Sequence, residues 1–552
     1  MAVARLSKAC LKCSRSDVGV LLLKLMDFGQ FHPTRDDNFF QGIEILLLAS
    51  RAQQVYSMAS ELLSKDPVKG IKHEKMSPLS FRAHDLDELI QLFGDEVVTL
   101  REVLAYSPSG QELVTIYDLL RAIREASLEI FNNLQKILCK EEPKNILIME
   151  GFIPSNSTNE FEQIFGPQIV SLRPLDQKES RDPRTPSLVV NPRIVSIFEN
   201  IALQRGIPKY NEIDPTPVVA FVFPFFFGMM FGDVGHGVTL VILGWYLAFR
   251  TKFLYWGKLL VILGSSTLAV GFVRGTFFGL NFNTPIHEIV SLPKFFSAGF
   301  TLEYIPLILE IAIIIGTFHL ASAYVISLVN DILSRDYIEA FLDRLATLLL
   351  YASIIPFGLA VAGCGLNFGI LFTSSANAPF FSELLGLKVP VSTLARDSVP
   401  FIIGSLILLI ISHPLGAYRS THKFRDAIKA LAEGLLDGAA KPFEFFTNVL
   451  SYVRLGVLLV TTTVLSSLIS SVLSFGIPGV FLAVFLNIMM MAMEGLIVYI
   501  QDMRLQLYEW LSKFYVGTGI PFSPMVSRRE FSEVNYIENV HATTIPVSVN
   551  LN

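Results

Sequence analysis

The sequence predicts an N-terminal α+β cytoplasmic domain with a long helical hairpin, joined to a C-terminal all-α polytopic membrane domain of about eight transmembrane helices, the last two long and tilted. Two observations carry this prediction. Residues 1–214 hold 54 charged side chains, about a quarter of that segment and the usage of an ordinary soluble domain, whereas the following 338 residues hold only 39. The second part also contains apolar stretches long enough to cross a bilayer core of ~30 Å, at 256–281, 304–329, 341–366 and 398–418, and two longer ones within 442–474 and 477–512. The chain as a whole is 51% hydrophobic with a mean hydropathy of +0.50. That asymmetry excludes a simple soluble enzyme, a uniform transporter and a disordered chain.

In the first part, residues 3–13 read as a strand, followed by an amphipathic helix to Phe28 and the turn GQFHPT. Helical stretches follow at Asp36–Ser64 and Leu79–Glu141, the second broken near Ser107-Pro108-Ser109-Gly110 by Pro and Gly. A strand begins at Lys144, a short helix lies around Glu160, and a second strand starts at Pro167. The Pro-, Arg- and Asp-rich run from Asp176 to Pro217 suits an extended connector. The resulting division is 1–184 for a cytoplasmic α+β and helical-arm domain, 185–215 for the connector, 216–520 for the membrane domain and 521–552 for a cytoplasmic tail. The only early apolar run, from Val18, is short and contains Lys24, so no signal peptide is read and the first domain is expected to stay in the cytoplasm.

Several chemistries lack their residues. A sequence pI near 6.0 gives no basic footprint for nucleic acid. Cys10 and Cys13 form a CxxC, but no second CxxC or HxxxH completes a zinc site, so they read as ordinary buried thiols on a strand. Neither GxxxxGK[ST] nor a strand-to-helix GxGxxG occurs, so no nucleotide is cradled and any ATP chemistry belongs to a partner. No catalytic residue, metal site or cofactor is expected.

In the membrane part, residues 216–249 read as one long span or as two short ones hinged at GDVGHG. Charge decides between them. With two spans, the loops 250–258, 330–344 and 419–441 and the tail after 512 share one side and carry thirteen Lys/Arg, against Lys294, Lys388 and Arg396 opposite. The positive-inside rule then favours eight spans with both termini in the cytoplasm. Three arginines remain within spans: Arg274, Arg454 and Arg504. A cation at mid-bilayer costs at least ~2.5 kcal/mol, so such residues face a partner or water and are functional candidates by default. Arg274 lies near the end of its span, where it can snorkel to the interface.

Helical spacing groups the other polar residues. Thr447, Arg454 and Thr461 recur at sevens with Ser451 beside them. In the last span Asn487, Glu494, Gln501 and Tyr508 recur at sevens, and Arg504 sits one turn from both Gln501 and Tyr508. Two helices with intramembrane arginines and polar faces suggest a charge-handling surface whose cargo is a proton or small cation. Polar glue between helices is the plainer alternative.

At these residues a family resemblance becomes specific. The run NPRIVSIFENIALQRGIPKYNEIDPTPVVAFVFPFFFGMMFGDVGHG resembles the junction and first hairpin of the a/I subunit of vacuolar and archaeal-type rotary ATPases, the 116 kDa subunit family. SYVRLGVLLV resembles that family's arginine helix, and MEGLIVYIQDMRLQLYEWLSKFYVGTGIPFSP its final helix and tail. With MEGFIP and the opening strand and helix, the resemblance reaches most of the chain, strongest from about residue 185 onward.

The resemblance implies a non-catalytic membrane stator of a rotary ATPase or ATP synthase, multi-pass, in the plasma membrane of a prokaryote. Its implied neighbours are a proteolipid c/K ring, peripheral-stalk E/G-type (H-type) subunits, a central-stalk d/C-type subunit and, indirectly, a soluble A3B3 head. It implies that Arg454 is the essential arginine, that Arg504 is the second, and that Glu494 is the glutamate of the EG motif. Gln501 stands where eukaryotic members often have histidine, which leaves it hydrogen bonding to water. Ser451 and Asn487 join this ion-translocating set, with Asp233, His236, Arg274, Glu444 and Tyr508 as further candidates. The arm is shorter than the family's usual one, and the absence of long insertions favours an archaeal or bacterial member. Two other readings stay open on the residues alone. One is a secondary cation or proton antiporter, against which no internal repeat is visible; the other is a membrane scaffold without an ion path.

Overall fold

The computed structural model describes residues 3–34, 41–64, 78–106, 111–142, 145–281, 305–365, 367, 369–373, 389–421, 423–526, 531–537 and 543–544. They form two compact units, one of Ala4–Leu188 with Gly519–Asn552, the other of Met1–Val3 with Val189–Thr518.

The first unit is built on a sheet of antiparallel strands. β1 (Leu6–Ser14) alternates buried and open positions and lies between β5 (Ile146–Pro154) and β6 (Ile169–Pro174). β2 (His32–Pro33) and β4 (Cys139–Glu142) pair along the other edge of β5. The period of two buries Ala9, Leu11 and Cys13 on one face and sends Cys10 to the other. The CxxC therefore cannot converge on a metal, because a three-residue step in a strand separates the two thiols. Burial pushes the thiols of Cys13 and Cys139 up to about 12.

α1 (Val18–Phe28) packs its leucines into the core and ends at Gly29, whose left-handed φ of 69° lets its N–H reach the Leu25 carbonyl. α5 (Thr158–Phe165) sets Phe161 and Phe165 edge-on against Phe28. The helical arm consists of α2 (Ile43–Ser64), α3 (Leu86–Ala105), capped by Asp85, and α4 (Gln111–Lys136).

Three sequence expectations fail in this unit. Leu79–Ala83 is a strand, β3, and Cys139–Glu142 is the strand β4; neither continues a helix. The tail is also part of this unit. β7 (Ser532–Tyr536) pairs in parallel with β3, Met525 and Val534 enter the core, and Lys24 lies 4.6 Å from the Tyr536 ring centre. The partner that makes β3 a strand lies some 450 residues away in sequence, beyond the reach of local propensity. The run after Asp176 is not uniformly extended either: it contains a capping-box turn at Gln177–Ser180 and a short strand, Pro186–Ser187, paired with Ile520–Pro521. The expected break at Ser107–Gly110 lies outside the described residues.

The second unit is helical. Among the described residues, six helical stretches are long and apolar enough to cross a membrane. They are α8 (Leu254–Arg274), α9 (Ile305–Leu333), α10 (Leu345–Gly363) with the turns that precede it, α11 (Val391–Thr421), α12 and α13 together (Phe424–Ser451 and Val453–Val472), and α14 (Ile477–Arg504) with its continuation to Lys513. The ambiguous stretch 216–249 is two shorter helices, α6 (Thr216–Met230) and α7 (Val234–Arg250), separated at Phe231-Gly232-Asp233. α7 and α8 approach so closely that a Cβ on Gly257 would stand 2.5 Å from the Ala248 backbone nitrogen, a small-residue contact suited to packing in lipid.

Two differences from expectation bear on the site. The expected loop 419–441 is largely helix, continuous with the polar stretch after it until Tyr452 interrupts the chain before Val453. Arg396 likewise sits within α11; the loops holding Lys294 and Lys388 lie outside the described residues. At its other end, α14 passes into a π-helical segment at Leu505–Trp510.

Candidate functional site

Polar residues gather in two regions of the second unit, both lined by α14. At the first, Asp233 ends the α6–α7 turn. Its Oδ1 accepts from the backbone N–H of Gly235 (2.8 Å), His236 (3.1 Å) and Phe278 (2.9 Å), and its Oδ2 from Gly279 (3.1 Å). It caps one helix and pins a second loop to it. His236 stacks on Phe231 and donates from Nε2 to Asn487 Oδ1 at 3.0 Å; the Asn487 amide N–H₂ is already committed to the Ala483 carbonyl. His236, Thr239 and Asn487 give a few polar atoms to an otherwise apolar cavity of about 350 Å³ that Phe278, Ile469 and Met491 help to line.

Arg274 does not snorkel. It is only 9% exposed, and its guanidinium donates to the Gly232 carbonyl (3.0 Å) and the Thr463 hydroxyl (2.6 Å), within electrostatic reach of Asp233 and Glu494. Glu494 is buried as well. Its Oε1 accepts from Thr462 Oγ1 at 2.5 Å, while its Oε2 has no hydrogen-bond partner among the described residues.

The second region surrounds Arg454, the second residue of α13. Its side chain is partly exposed on the surface of the unit, and its buried Nη1 makes no hydrogen bond among the described residues. Arg504 and Glu509 are the charges that bear on it, and Arg504 Nε lies 3.9 Å from Glu509 Oε1. Ser451, at the end of α12, sits beside Glu509 and donates to the Thr447 carbonyl. Thr447 and Thr461 are exposed. Gln501 has a buried Oε1 with no hydrogen-bond partner among the described residues. Glu444 stands apart from this group, paired with Lys513 at 2.5 Å beside a polar cavity of about 290 Å³ that Arg344 and Lys441 also line.

The seven-residue register along α14 fails at its last member. Tyr508 is 71% exposed, and Glu509, 5% exposed, takes the inward position. A π-turn accommodates one extra residue, and this one shifts every side chain after Arg504 by one place. Sequence reasoning therefore missed Glu509, and with it Asp502 and Gln506, which are fully buried on the inward face of the same helix. The signal was present as spacings of four and three, Asp502 to Gln506 to Glu509, but it runs along a different stripe from the sevens. His319 and Thr462 were missed because neither lies on a seven-residue polar repeat: Thr462 is one of three consecutive threonines, and no polar residue lies seven places before or after His319.

Comparison with known proteins then shows what the chain is similar to. Residues 57–258 match the V-type ATPase 116 kDa subunit family. The chain is 25% identical over 462 residues to the A-type ATP synthase subunit I of Aeropyrum pernix, covering 78% of this chain and 64% of that protein. It is 25% identical over 461 residues to the protein of the same name from Methanocaldococcus jannaschii, covering 76% and 60%. A segment of 139 residues, a quarter of the chain, is 37% identical to the Archaeoglobus fulgidus protein of that name, 20% of which it covers. The chain thus spans less than two thirds of the length of these relatives. Over residues 57–258 the chain is thus similar to the V-type ATPase 116 kDa subunit family, and over about three quarters of its length, at 25% identity, to archaeal proteins named A-type ATP synthase subunit I.

Proposed function

We propose that this chain is the membrane stator subunit of a rotary V/A-type ATPase, and that it supplies the half-channels and the essential arginine past which a proteolipid ring carries protons or sodium ions. In this reading α6 and α7 count as spans, giving eight in all, with both termini in the cytoplasm. The soluble unit is the part held by stalk subunits, and ATP chemistry resides in the head.

The observation that carries the proposal is Arg454: a guanidinium in an apolar helix, partly open at the surface of its unit, with a buried N–H that no group among the described residues satisfies. A cation so placed is costly unless a partner neutralises it. A ring carboxylate is that partner. Neutral when it faces lipid, it ionises opposite Arg454 and releases its ion into one half-channel. It is reloaded from the other before re-entering lipid, while the fixed positive charge blocks direct leakage between the two. Thr462, Glu494 and Gln501 line one path in this reading, and Arg504 holds Glu509 beside the exchange point.

The test is Arg454→Lys in the complete complex reconstituted into vesicles. Lysine keeps the charge but loses the planar five-donor fork, so ATP-driven ion uptake should fall by at least about tenfold, with the subunit still assembled. Near-normal uptake would sink this role.

A further inference from the structure

Arg454 enters its helix two residues after Tyr452, the point where α12 and α13 part. The backbone there stays right-handed but tightens, the Tyr452 N–H donating to the Val449 carbonyl at 3.1 Å, and a tightened turn within a helix is where its direction can shift unless something fixes it. What fixes it is α9. The Tyr452 ring is fully buried, and its hydroxyl shares a 2.8 Å hydrogen bond with Nδ1 of His319. The ring also lies against Gly316, where a Cβ would come within 2.3 Å of the tyrosine Cγ, so the pocket exists only because that residue is glycine.

His319 is itself held on two further sides. It stacks on Trp510 at 5.2 Å and 9°, and it meets Phe226 edge-on at 5.2 Å and 80°. Trp510 Nε1 donates to Ser322 Oγ at 2.9 Å, and that hydroxyl donates in turn to the His319 carbonyl at 2.6 Å. Gly316, His319 and Ser322 follow at steps of three, so one face of α9 grips both the residue two before Arg454 and the residue directly after Glu509.

We propose that His319 is a positioning residue for ion translocation: through Tyr452 and Trp510 it fixes Arg454 relative to Glu509 while the ring moves past. This rests on the translocation reading above. The physical need is specific. A passing ring carboxylate pulls on Arg454, and a neutral aromatic and hydrogen-bonded clamp resists that pull without placing a second charge beside the arginine. Small displacements of a reacting group are costly, about a hundredfold for 1 Å in comparable settings.

The experiment uses the complete complex in vesicles, with ion uptake and ATP hydrolysis measured together and the amount of assembled subunit recorded. Tyr452→Phe, which deletes one oxygen, and His319→Ala should each lower ions moved per ATP by about threefold or more. The double variant should be no worse than the poorer single one, because both remove the same bond. His319→Gln, whose amide can still bond the tyrosine hydroxyl, should recover at least about half of the loss. Trp510 emission, isolated by difference against Trp510→Phe, should change in His319→Ala. Normal coupling in Tyr452→Phe, additive losses, or a glutamine variant as poor as alanine would each overturn the proposal. If His319→Ala does not assemble, Tyr452→Phe and His319→Gln decide the matter. Arg454→Ala, run alongside, separates the two readings. If it still pumps, the translocation reading fails; if it is inactive while the His319 and Tyr452 variants couple normally, only the positioning inference fails.

Discussion

Asp233 and Glu509 are both acidic, both withdrawn from solvent in the helical unit, and treated in opposite ways. Asp233 receives four backbone N–H groups, two on its own helix and two on the Phe278–Gly279 loop. Its acceptor capacity is largely filled by the main chain, so it has nothing left to exchange. Glu509 keeps an oxygen without a hydrogen bond among the described residues, 3.9 Å from one arginine and within the field of another. A buried polar atom left unmatched costs about 1–3 kcal/mol, and proteins retain that cost where a partner or an ion completes the set. The lesson is that burial alone does not mark a working carboxylate. Saturation by backbone marks a structural one, and here the sequence points the other way, singling out Asp233 and passing over Glu509.

That contrast can be broken at several points. The largest effect is expected at Glu509 against its neighbour. Glu509→Gln should lower ATP-driven ion uptake by about tenfold, whereas Tyr508→Phe should change it by less than about twofold, since that side chain points outward. Equal losses would mean that the π-turn does not set the register. Next comes Asp233→Ala, which strips the acceptor from four N–H groups. It should cost about 3 kcal/mol or more, read as a lowered midpoint of thermal inactivation of the detergent-solubilised complex, while ions moved per ATP in the surviving fraction stay unchanged. A fall in coupling with unchanged stability would move Asp233 from the structural to the working class. The smallest effect lies in the first unit. With their thiols pushed up to about 12 by burial, Cys13 and Cys139 stay protonated at pH 8, and iodoacetamide should label them only after denaturation. Rapid labelling of the folded protein would show that the sheet face they occupy is open.

Much of the architecture was legible. The strand, helix and turn through Gly29 follow from period and capping, and the sheet strands at Ile146–Pro154 and Ile169–Pro174 emerge from apolar runs bounded by turn residues. Arg274, Arg454 and Arg504 were singled out by charge arithmetic alone, because lipid makes a cation in an apolar stretch conspicuous; Arg396, counted there as a loop residue, also lies within an apolar helix. The surroundings of those arginines were not legible. Arg274 reads as an interfacial snorkeller, and only the approach of Gly232 and Thr463 turns it inward. Likewise, nothing in the run around Leu79 separates a strand from a helix start until the tail supplies its partner.

By itself, then, the sequence determined the division into a charged and an apolar unit, the helical character of the second, and the residues whose charge has no place in lipid. These are properties of composition and short-range period, which act residue by residue. Tertiary structure alone decided which carboxylate faces Arg454, which is sealed by backbone, and how the break at Tyr452 is held. Each of those outcomes depends on groups tens to hundreds of residues apart, or on a one-residue slip in a helix, and neither leaves a trace in local pattern.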